Sequence, residues 1–159
     1  MGRIILLVCL FLFACGPDRE RLSHTIRIDS DFSDIQTELI IKSIDDWKEA
    51  TSYTFLADAE VGPVEEFDEY SIFYVRGLIN NKTETLGRTE NHDEFGRILI
   101  RSDLGESFIF ENVVKHELGH YLLIEHYHQV GDLMYYLVNK KEPMRIESHH
   151  IEEFNYIWN

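Results

Sequence analysis

Hydrophobic and polar residues alternate near the start of the chain and then change to a helical spacing. Residues 24–28, HTIRI, alternate with the period of two that is typical of a half-buried strand. From residue 35 to residue 51 apolar side chains recur every three or four positions, which predicts an amphipathic helix. Ser33 or Asp34 can cap its first turn. The predicted apolar face consists of Leu39, Ile40, Ile44 and Trp47.

Short β-rich segments bounded by glycine, proline or turn-forming residues follow this helix. They lie at residues 53–57, 71–75, 85–89 and 97–101, and the turn-like sequence NHDEFG separates the last two. A helix is predicted from Glu111 to about Leu123, and Ser148 can cap a last helix that runs through Trp158. This order of a strand, a helix, several strands and two further helices indicates an α+β fold.

The amino-terminal segment has a different composition from the rest of the chain. Arg3 precedes an apolar run at residues 4–14, whose 11 residues are too few for a transmembrane helix of roughly 20. The run ends in LFAC and resembles a bacterial lipoprotein signal. The resemblance implies removal of residues 1–14, lipid on Cys15 and a polar tether over residues 15–23.

The lipoprotein resemblance also implies a location. Residues 24–159 would form one domain, exported and held by its lipid at the periplasmic face of a bacterial membrane or at the cell surface. Gly16 follows Cys15, where an aspartate would signal retention, and this favours the outer membrane. Cys9 would be removed with the signal, so no cysteine pair would remain for a disulfide.

The charge of the chain excludes one class of partner. The formal net charge is −14, and loss of Arg3 with the signal would make it −15. Nucleic acid is therefore not expected as a partner. The acidic balance favours basic or neutral substrates, although a well-solvated surface has the same composition. A monomer is expected.

Residues 116–126, HELGHYLLIEH, carry the strongest chemical signal. His116 and His120 are four residues apart, so in a helix their imidazoles lie on one face and can bind one ion. Glu117 lies about 100° around the helix, where it can accept a proton without being a ligand. This HExxH spacing is typical of a zinc pair with a general base that activates water for attack on a carbonyl. The same residues can also occur as incidental histidines on a solvated helix.

Two further features favour the metal site. His126 can supply a third nitrogen and leave the fourth position open, as a catalytic zinc site requires. Eight residues later Met134 follows in the turn-like sequence GDLMYY. A histidine helix followed by such a methionine turn resembles the metzincin zinc endopeptidases, and the short gap to the methionine is similar to that of their matrixin branch.

The resemblance implies a fold and a set of roles. The fold would be a metzincin-like zincin fold: a small, mixed, twisted sheet with an antiparallel edge strand at residues 86–89, two helices that include the active-site helix, a methionine turn and a C-terminal helix. One Zn²⁺ would be bound by His116, His120 and His126, with Glu117 as general base and Met134 as an apolar floor. Met134 could instead be an ordinary core residue.

Tyr136 stands where astacin-like and serralysin-like metzincins have a tyrosine that approaches zinc, whereas matrixins usually have proline. The resemblance implies for it a fifth-ligand or oxyanion role, although tyrosines in such turns also simply pack.

Leu123 departs from the metzincin pattern, which has glycine at this position. A left-handed conformation costs a residue with a Cβ roughly 1–2 kcal/mol, so either Leu123 takes this strain or the helix continues to residue 124 or 125. The third ligand is accordingly His126, with His128 and then Glu125 as alternatives. The remaining histidines are expected at the surface, and the adjacent pair in the last helix should diverge and make poor joint ligands. They are His24, His92, His149 and His150.

Two functions from different classes follow from these observations. The first is a membrane-tethered zinc endopeptidase that binds a protein or peptide substrate along its edge strand by strand addition. The second is a noncatalytic zinc-binding or interaction lipoprotein on a degenerate form of the same fold. Glu117 favours the enzyme, because a protein that only held zinc would not need a general base.

Overall fold

A computed structural model describes residues 26–52, 59–63, 73–78, 85–91, 96–138 and 141–158. The elements in chain order are β1 (Ile26–Asp29), α1 (Asp34–Thr51), β2 (Ala59–Gly62), β3 (Phe73–Leu78), β4 (Gly87–Asn91), β5 (Gly96–Arg101), α2 (Phe108–Tyr121) and α3 (Ser148–Trp158). A short 3-10 turn at Ser102–Leu104 links β5 to the loop before α2. Helices and strands are mixed along the chain, consistent with the predicted α+β class.

The strands form one mixed sheet whose antiparallel strand lies at an edge. The order is β2-β1-β3-β5-β4. Strands β1, β2, β3 and β5 pair in parallel, and β4 pairs antiparallel with β5. The antiparallel edge strand expected at residues 86–89 is therefore present as β4, and one face of this strand contacts α2.

Several predicted boundaries differ from the observed ones. The predicted strand at residues 71–75 is β3, which continues to Leu78 because the whole segment pairs with β5. The predicted strand at 85–89 is displaced to Gly87–Asn91, since Asn91 still pairs with Gly96. The predicted strand at 53–57, the lipoprotein segment with Cys15, and both His24 and His92 lie outside the described residues. Within the described residues, no helix is long and apolar enough to cross a membrane.

Helix α1 begins with a complete capping box and buries the face that its spacing predicts. The Ser33 side chain accepts a hydrogen bond from Gln36 N–H, and the Gln36 side chain accepts one from Ser33 N–H. Ile40, Ile44 and Trp47 are buried in the core. Trp47 Nε1 also donates to the carbonyl of Lys115 at 3.0 Å. This bond attaches α1 to the middle of α2, one residue before the first histidine of the motif.

A cluster of four charged side chains holds α1 against α2. Lys115 Nζ lies 2.6 Å from Asp46 Oδ2 and 2.7 Å from Glu111 Oε1. Lys42 contacts the same two carboxylates. Burial alone would raise the pKa values of Asp46 and Glu111, but hydrogen bonds from the two lysines outweigh it and lower both. Both carboxylates thus remain ionised and paired between the helices.

We expect Lys115→Met to lower the free energy of unfolding by about 1–3 kcal/mol, because two partly buried carboxylates lose one of their two cationic partners. Methionine keeps the length of the buried stem, so the loss reports the charge. Urea denaturation measures the effect. Lys48→Met is the matched control: Lys48 Nζ lies 3.9 Å from Asp45 Oδ1 in a more open pair, and its loss should change stability by no more than about 0.5 kcal/mol. Equal stability of Lys115→Met and the wild type would contradict this account of the cluster.

Candidate metal centre

Helix α2 is enclosed by protein along most of its length. It packs against α1, β4 and β5, and every residue from Asn112 to Gly119 is buried. The side chains of His116 and Glu117 belong to this buried stretch, and each residue is only 5% exposed. Burying a polar group without a hydrogen-bond partner is costly. The role of these two side chains therefore has to be inferred from the contacts that they make.

Helix α2 ends in a hydrogen-bonded turn with a left-handed residue. The last helical residue is Tyr121, and Leu123 has a φ of +68°. The N–H of Leu123 donates to the carbonyl of His120 at 3.0 Å, and the N–H of Ile124 donates to the carbonyl of Gly119 at 3.0 Å. These two bonds make a Schellman motif, whose left-handed position is usually glycine.

Leu123 therefore takes the backbone strain, and the alternative of a helix that continues past it is wrong. Ile124, the next residue, is 1% exposed and belongs to the hydrophobic core. Complete burial of an isoleucine side chain contributes about 1.5–3 kcal/mol. This burial offsets the left-handed penalty at Leu123 and keeps the turn closed.

The chain after this turn is attached on both sides of His126. Before it, His120 Nδ1 lies 2.9 Å from the carbonyl of Ile124. After it, the N–H of Tyr127 donates to the carbonyl of Met134 at 2.9 Å. The third histidine is thus held between the end of α2 and the methionine turn, although its own side chain is exposed.

The three histidines of the motif converge through their Nε2 atoms. His120 Nε2 lies 3.0 Å from His126 Nε2, and His126 Nε2 lies 3.3 Å from His116 Nε2. His116 Nδ1 lies 2.7 Å from the carbonyl of Leu133. A carbonyl only accepts hydrogen bonds, so the Nδ1 atoms of His116 and His120 carry the protons and their Nε2 atoms present lone pairs.

Burial disfavours the positively charged form of two of these imidazoles, those of His116 and His120. Burial lowers the pKa of His116 to about 4, against the opposing effect of its hydrogen bond to the Leu133 carbonyl. Burial also lowers the pKa of His120. The lone pairs of His116 Nε2 and His120 Nε2 both face His126 Nε2 and are available as ligands for a cation. The group of His116, His120 and His126 could therefore hold a metal ion.

Glu117 lies beside the histidines and is held by the edge strand. Burial raises the pKa of its carboxyl to about 7, although hydrogen bonds from the Thr89 side chain and backbone oppose this rise. Thr89 Oγ1 lies 2.8 Å from Glu117 Oε2 and 2.8 Å from the Glu117 carbonyl oxygen. A carboxyl with a pKa near neutrality can both accept and return a proton at physiological pH.

The side chain of Met134 packs against α2 at Gly119, which has no side chain of its own. Met134 is fully buried, and a Cβ at Gly119 would overlap its sulfur atom. The preceding residue, Leu133, supplies the carbonyl that orients His116. The methionine turn therefore contacts the histidine helix both through its side chain and through its backbone.

A cleft of about 750 Å³ opens above the histidines. One wall is residues 85–89 of the edge-strand region, and the other includes Tyr136, Leu137 and Val138. Tyr136 is 58% exposed, and its ring lies 4.3 Å from that of Tyr135, centroid to centroid. Tyr136 thus lines the same cleft as the three histidines.

The alternative third ligands line a second depression next to the cleft. His128 and Glu125 border a hollow of about 470 Å³ that is also lined by His120 and His126. Neither belongs to the group of converging ligand atoms, which contains His126 as its third member.

The prediction that the last two histidines lie at the surface and diverge is wrong. His150 is fully buried, and His149 is partly buried rather than on the open surface. Both rings reach one carboxylate, with Nε2 distances of 2.7 Å from His149 to Asp132 Oδ2 and 2.8 Å from His150 to Asp132 Oδ1. Adjacent helical residues diverge at their Cα atoms, but long side chains converge on the two oxygens of a group that lies between them.

Two features around the candidate site escaped prediction from the sequence: the contact from Thr89 to Glu117 and the contacts of Asp132. The contact from Thr89 to Glu117 joins residues 28 positions apart, and only Gly87 signals it, since a Cβ there would lie 2.8 Å from Glu117 Cγ. A glycine inside a strand often marks such a close approach. Gly119 inside a helix is the corresponding signal for the Met134 contact. The role of Asp132 has no comparable local signal.

Comparison with known proteins gives no further assignment. No protein-family model matches the chain, and no curated protein matches its sequence. Any assignment of function therefore depends on the geometry of the site itself and on the motif that carries the metzincin resemblance.

We expect Leu123→Gly to be more stable than Leu123→Ala by about 1 kcal/mol, because both lose the leucine packing and only glycine avoids the left-handed penalty. Urea denaturation of both variants measures the difference. At the exposed helical position Glu49 the order should reverse, since alanine is ordinarily favoured over glycine inside a helix by about 1 kcal/mol. An alanine variant at Leu123 that matches or exceeds the glycine variant would contradict the left-handed conformation.

Proposed function

We propose that the chain is a zinc-dependent endopeptidase of the metzincin type, in which His116, His120 and His126 bind one Zn²⁺. The observation that carries the proposal is the convergence of three Nε2 atoms, two of them deprotonated because their Nδ1 atoms donate to carbonyls. A histidine that binds metal through one nitrogen usually donates from the other in this way.

The donor set fits zinc. Zinc binds imidazole nitrogens at about 2.0–2.1 Å in tetrahedral geometry, which puts two ligand nitrogens about 3.3 Å apart. The separations of 3.0 and 3.3 Å between Nε2 atoms are close to this value. Calcium and magnesium prefer oxygen ligands and fit three imidazoles poorly. Three neutral protein ligands with an open fourth position match a catalytic rather than a structural zinc site.

Glu117 is the proposed general base. Zinc, when bound, lowers the pKa of a water towards about 7 and stabilises negative charge on a carbonyl oxygen. The Glu117 carboxylate takes the proton of the attacking water and later delivers it to the amine nitrogen of the leaving product. Its raised pKa suits both transfers, and Thr89 holds the carboxyl in one orientation. Tyr136 in the cleft wall is the proposed additional ligand or oxyanion partner.

The proposed substrate is an extended peptide that adds to strand β4. The N–H of Arg101 donates to the carbonyl of Leu86. In an antiparallel pair alternate residues share this pattern, so the backbone groups of Gly87, Thr89 and Asn91 face the open edge. This edge forms one wall of the cleft that contains the histidines. A peptide bound there would cross the metal site with its backbone, which favours an endopeptidase.

The proposal extends to the location of the protein. The lipoprotein resemblance of residues 4–15 supports export and a lipid anchor on Cys15, with the outer membrane favoured. The mixed sheet with its antiparallel edge strand, and the methionine turn beneath α2, support the matrixin-like form of the metzincin fold.

The second candidate is a noncatalytic zinc-binding or interaction lipoprotein. The strained Leu123 turn is the observation that favours it, since it departs from the metzincin glycine. Glu117 favours the enzyme, because a buried carboxyl held next to, but outside, the ligand group has no structural use for zinc binding.

We expect the protein to cleave an unstructured substrate such as casein, and Glu117→Gln to reduce the rate by about 10²–10⁴-fold, the usual contribution of a general base. A chelator should abolish cleavage, and added Zn²⁺ should restore it. Product peptides are followed by mass spectrometry. Zinc binding at one equivalent, with wild type and Glu117→Gln equally inert on diverse substrates, would leave only the noncatalytic candidate.

A second measurement concerns the third ligand. We expect His126→Ala to weaken zinc binding by more than the roughly 10–100-fold that loss of an outer-shell partner causes, whereas His128→Ala should leave the affinity within a few-fold of wild type. Competition with a chromophoric chelator measures both affinities. Wild-type affinity of His126→Ala would exclude it as a ligand, and loss of affinity in His128→Ala would implicate His128 instead.

A further inference from the structure

Asp132 is a buried acceptor shared by two elements of the fold. It is 3% exposed. Its Oδ1 atom accepts from Met134 N–H at 2.7 Å and from His150 Nε2 at 2.8 Å, and its Oδ2 atom lies 2.7 Å from His149 Nε2. One carboxylate therefore joins the methionine turn to the first turn of α3. Burial alone would raise the pKa of Asp132, but these hydrogen bonds keep it below its usual value.

The three side chains of this cluster form a hydrogen-bond network rather than a second metal site. Their ligand atoms are close enough to hold an ion. However, the N–H of Glu147 donates to His150 Nδ1 at 3.0 Å, so that nitrogen carries a lone pair. Burial lowers the pKa of His150 and keeps the ring neutral. The proton of the ring is therefore on Nε2, which donates to Asp132 and has no lone pair for a metal.

The turn held by Asp132 supplies the carbonyl that orients a zinc ligand. The N–H of Asp132 donates to the carbonyl of Gln129 at 3.2 Å, and its own carbonyl accepts from Tyr135 N–H at 3.1 Å. With Oδ1 bound to Met134 N–H, both flanks of Leu133 are fixed. The carbonyl of Leu133 then points at His116 Nδ1, 2.7 Å away.

We propose that Asp132 is a positioning residue for the metal centre: by bonding Met134 N–H and His150 Nε2 it holds the Leu133 carbonyl against His116 Nδ1 and so selects the tautomer of His116 that can bind metal. This inference rests on the proposed zinc function only for the expected effect on zinc affinity. The tautomer of His116 is a property of the metal-free protein.

The relation between the two sites is indirect but short. Asp132 contacts neither the substrate cleft nor any of the three Nε2 atoms. It acts on the imidazole of His116 through two backbone groups, Met134 N–H and the Leu133 carbonyl, and its charge also favours the protonated form of that ring through space. Outer-shell partners of this kind commonly change metal affinity by about 10–100-fold when they are removed.

The test is the ¹⁵N chemical shifts of the His116 ring in the metal-free, full-length protein, together with its zinc affinity. We expect the Nδ1–H form alone in wild type, a mixture with the Nε2–H form in Asp132→Ala, and about 10–100-fold weaker zinc binding in that variant. Asp132→Asn should lie closer to wild type in both measurements, because its amide oxygen can still accept from Met134 N–H and His150. It also keeps the proposal testable if the alanine variant does not fold.

Ile40→Val is the matched control, since it loosens the core in α1 without touching the network. It should leave the His116 tautomer and the zinc affinity unchanged. An unchanged tautomer in both folded Asp132 variants, or an equal change in Ile40→Val, would overturn the positioning role. A second equivalent of zinc in wild type that is lost in His150→Gln would also overturn it, in favour of a metal site. If wild type binds no zinc while Asp132→Ala still changes the tautomer, the proposed function fails and the positioning role stands.

Discussion

Two backbone hydrogen bonds at the end of α2, from Leu123 N–H to His120 and from Ile124 N–H to Gly119, reverse the direction of the chain. Without this reversal the residues after the helix would continue away from the face that carries His116 and His120. The turn requires a left-handed conformation at Leu123, and the burial of the neighbouring Ile124 compensates for its free-energy cost. Backbone strain at Leu123 is thus balanced by core packing at Ile124. The turn that these two residues form determines the position of His126.

The histidine group is supported from three directions, each by a different kind of contact. The ion cluster and the Trp47 bond hold α2 against α1. The methionine turn lies beneath the helix and orients His116 through a carbonyl. Strand β4 approaches from the side and binds Glu117 through Thr89. The three histidines and the neighbouring carboxyl are therefore held by contacts from several elements, whereas Tyr136 and Leu137 form an exposed wall of the cleft.

Sequence pattern predicts the local features of this protein well. The spacing of Leu39, Ile40, Ile44 and Trp47 locates α1, and the four-residue spacing of His116 and His120 places both rings on one helical face. The sequence does not decide the conformation of Leu123. A left-handed leucine and a longer helix differ little in free energy, and the burial of Ile124, which favours the first, is known only from the structure. His150 is mispredicted as a surface residue, since its burial depends on Asp132, which lies 18 positions away in the chain. Contacts of this kind have no periodicity to reveal them.

The pairing of Thr89 with Glu117 also limits how the chain can change in length. Residues 92–95 connect β4 to β5, and a single insertion or deletion there that shifted the pairing by one position would turn every side chain of β4 to the opposite face. Thr89 would then leave Glu117, and Arg88 or Glu90 would take its place beside a buried carboxyl. Connecting segments usually tolerate changes in length. This one can vary only where the alignment of the two strands is preserved.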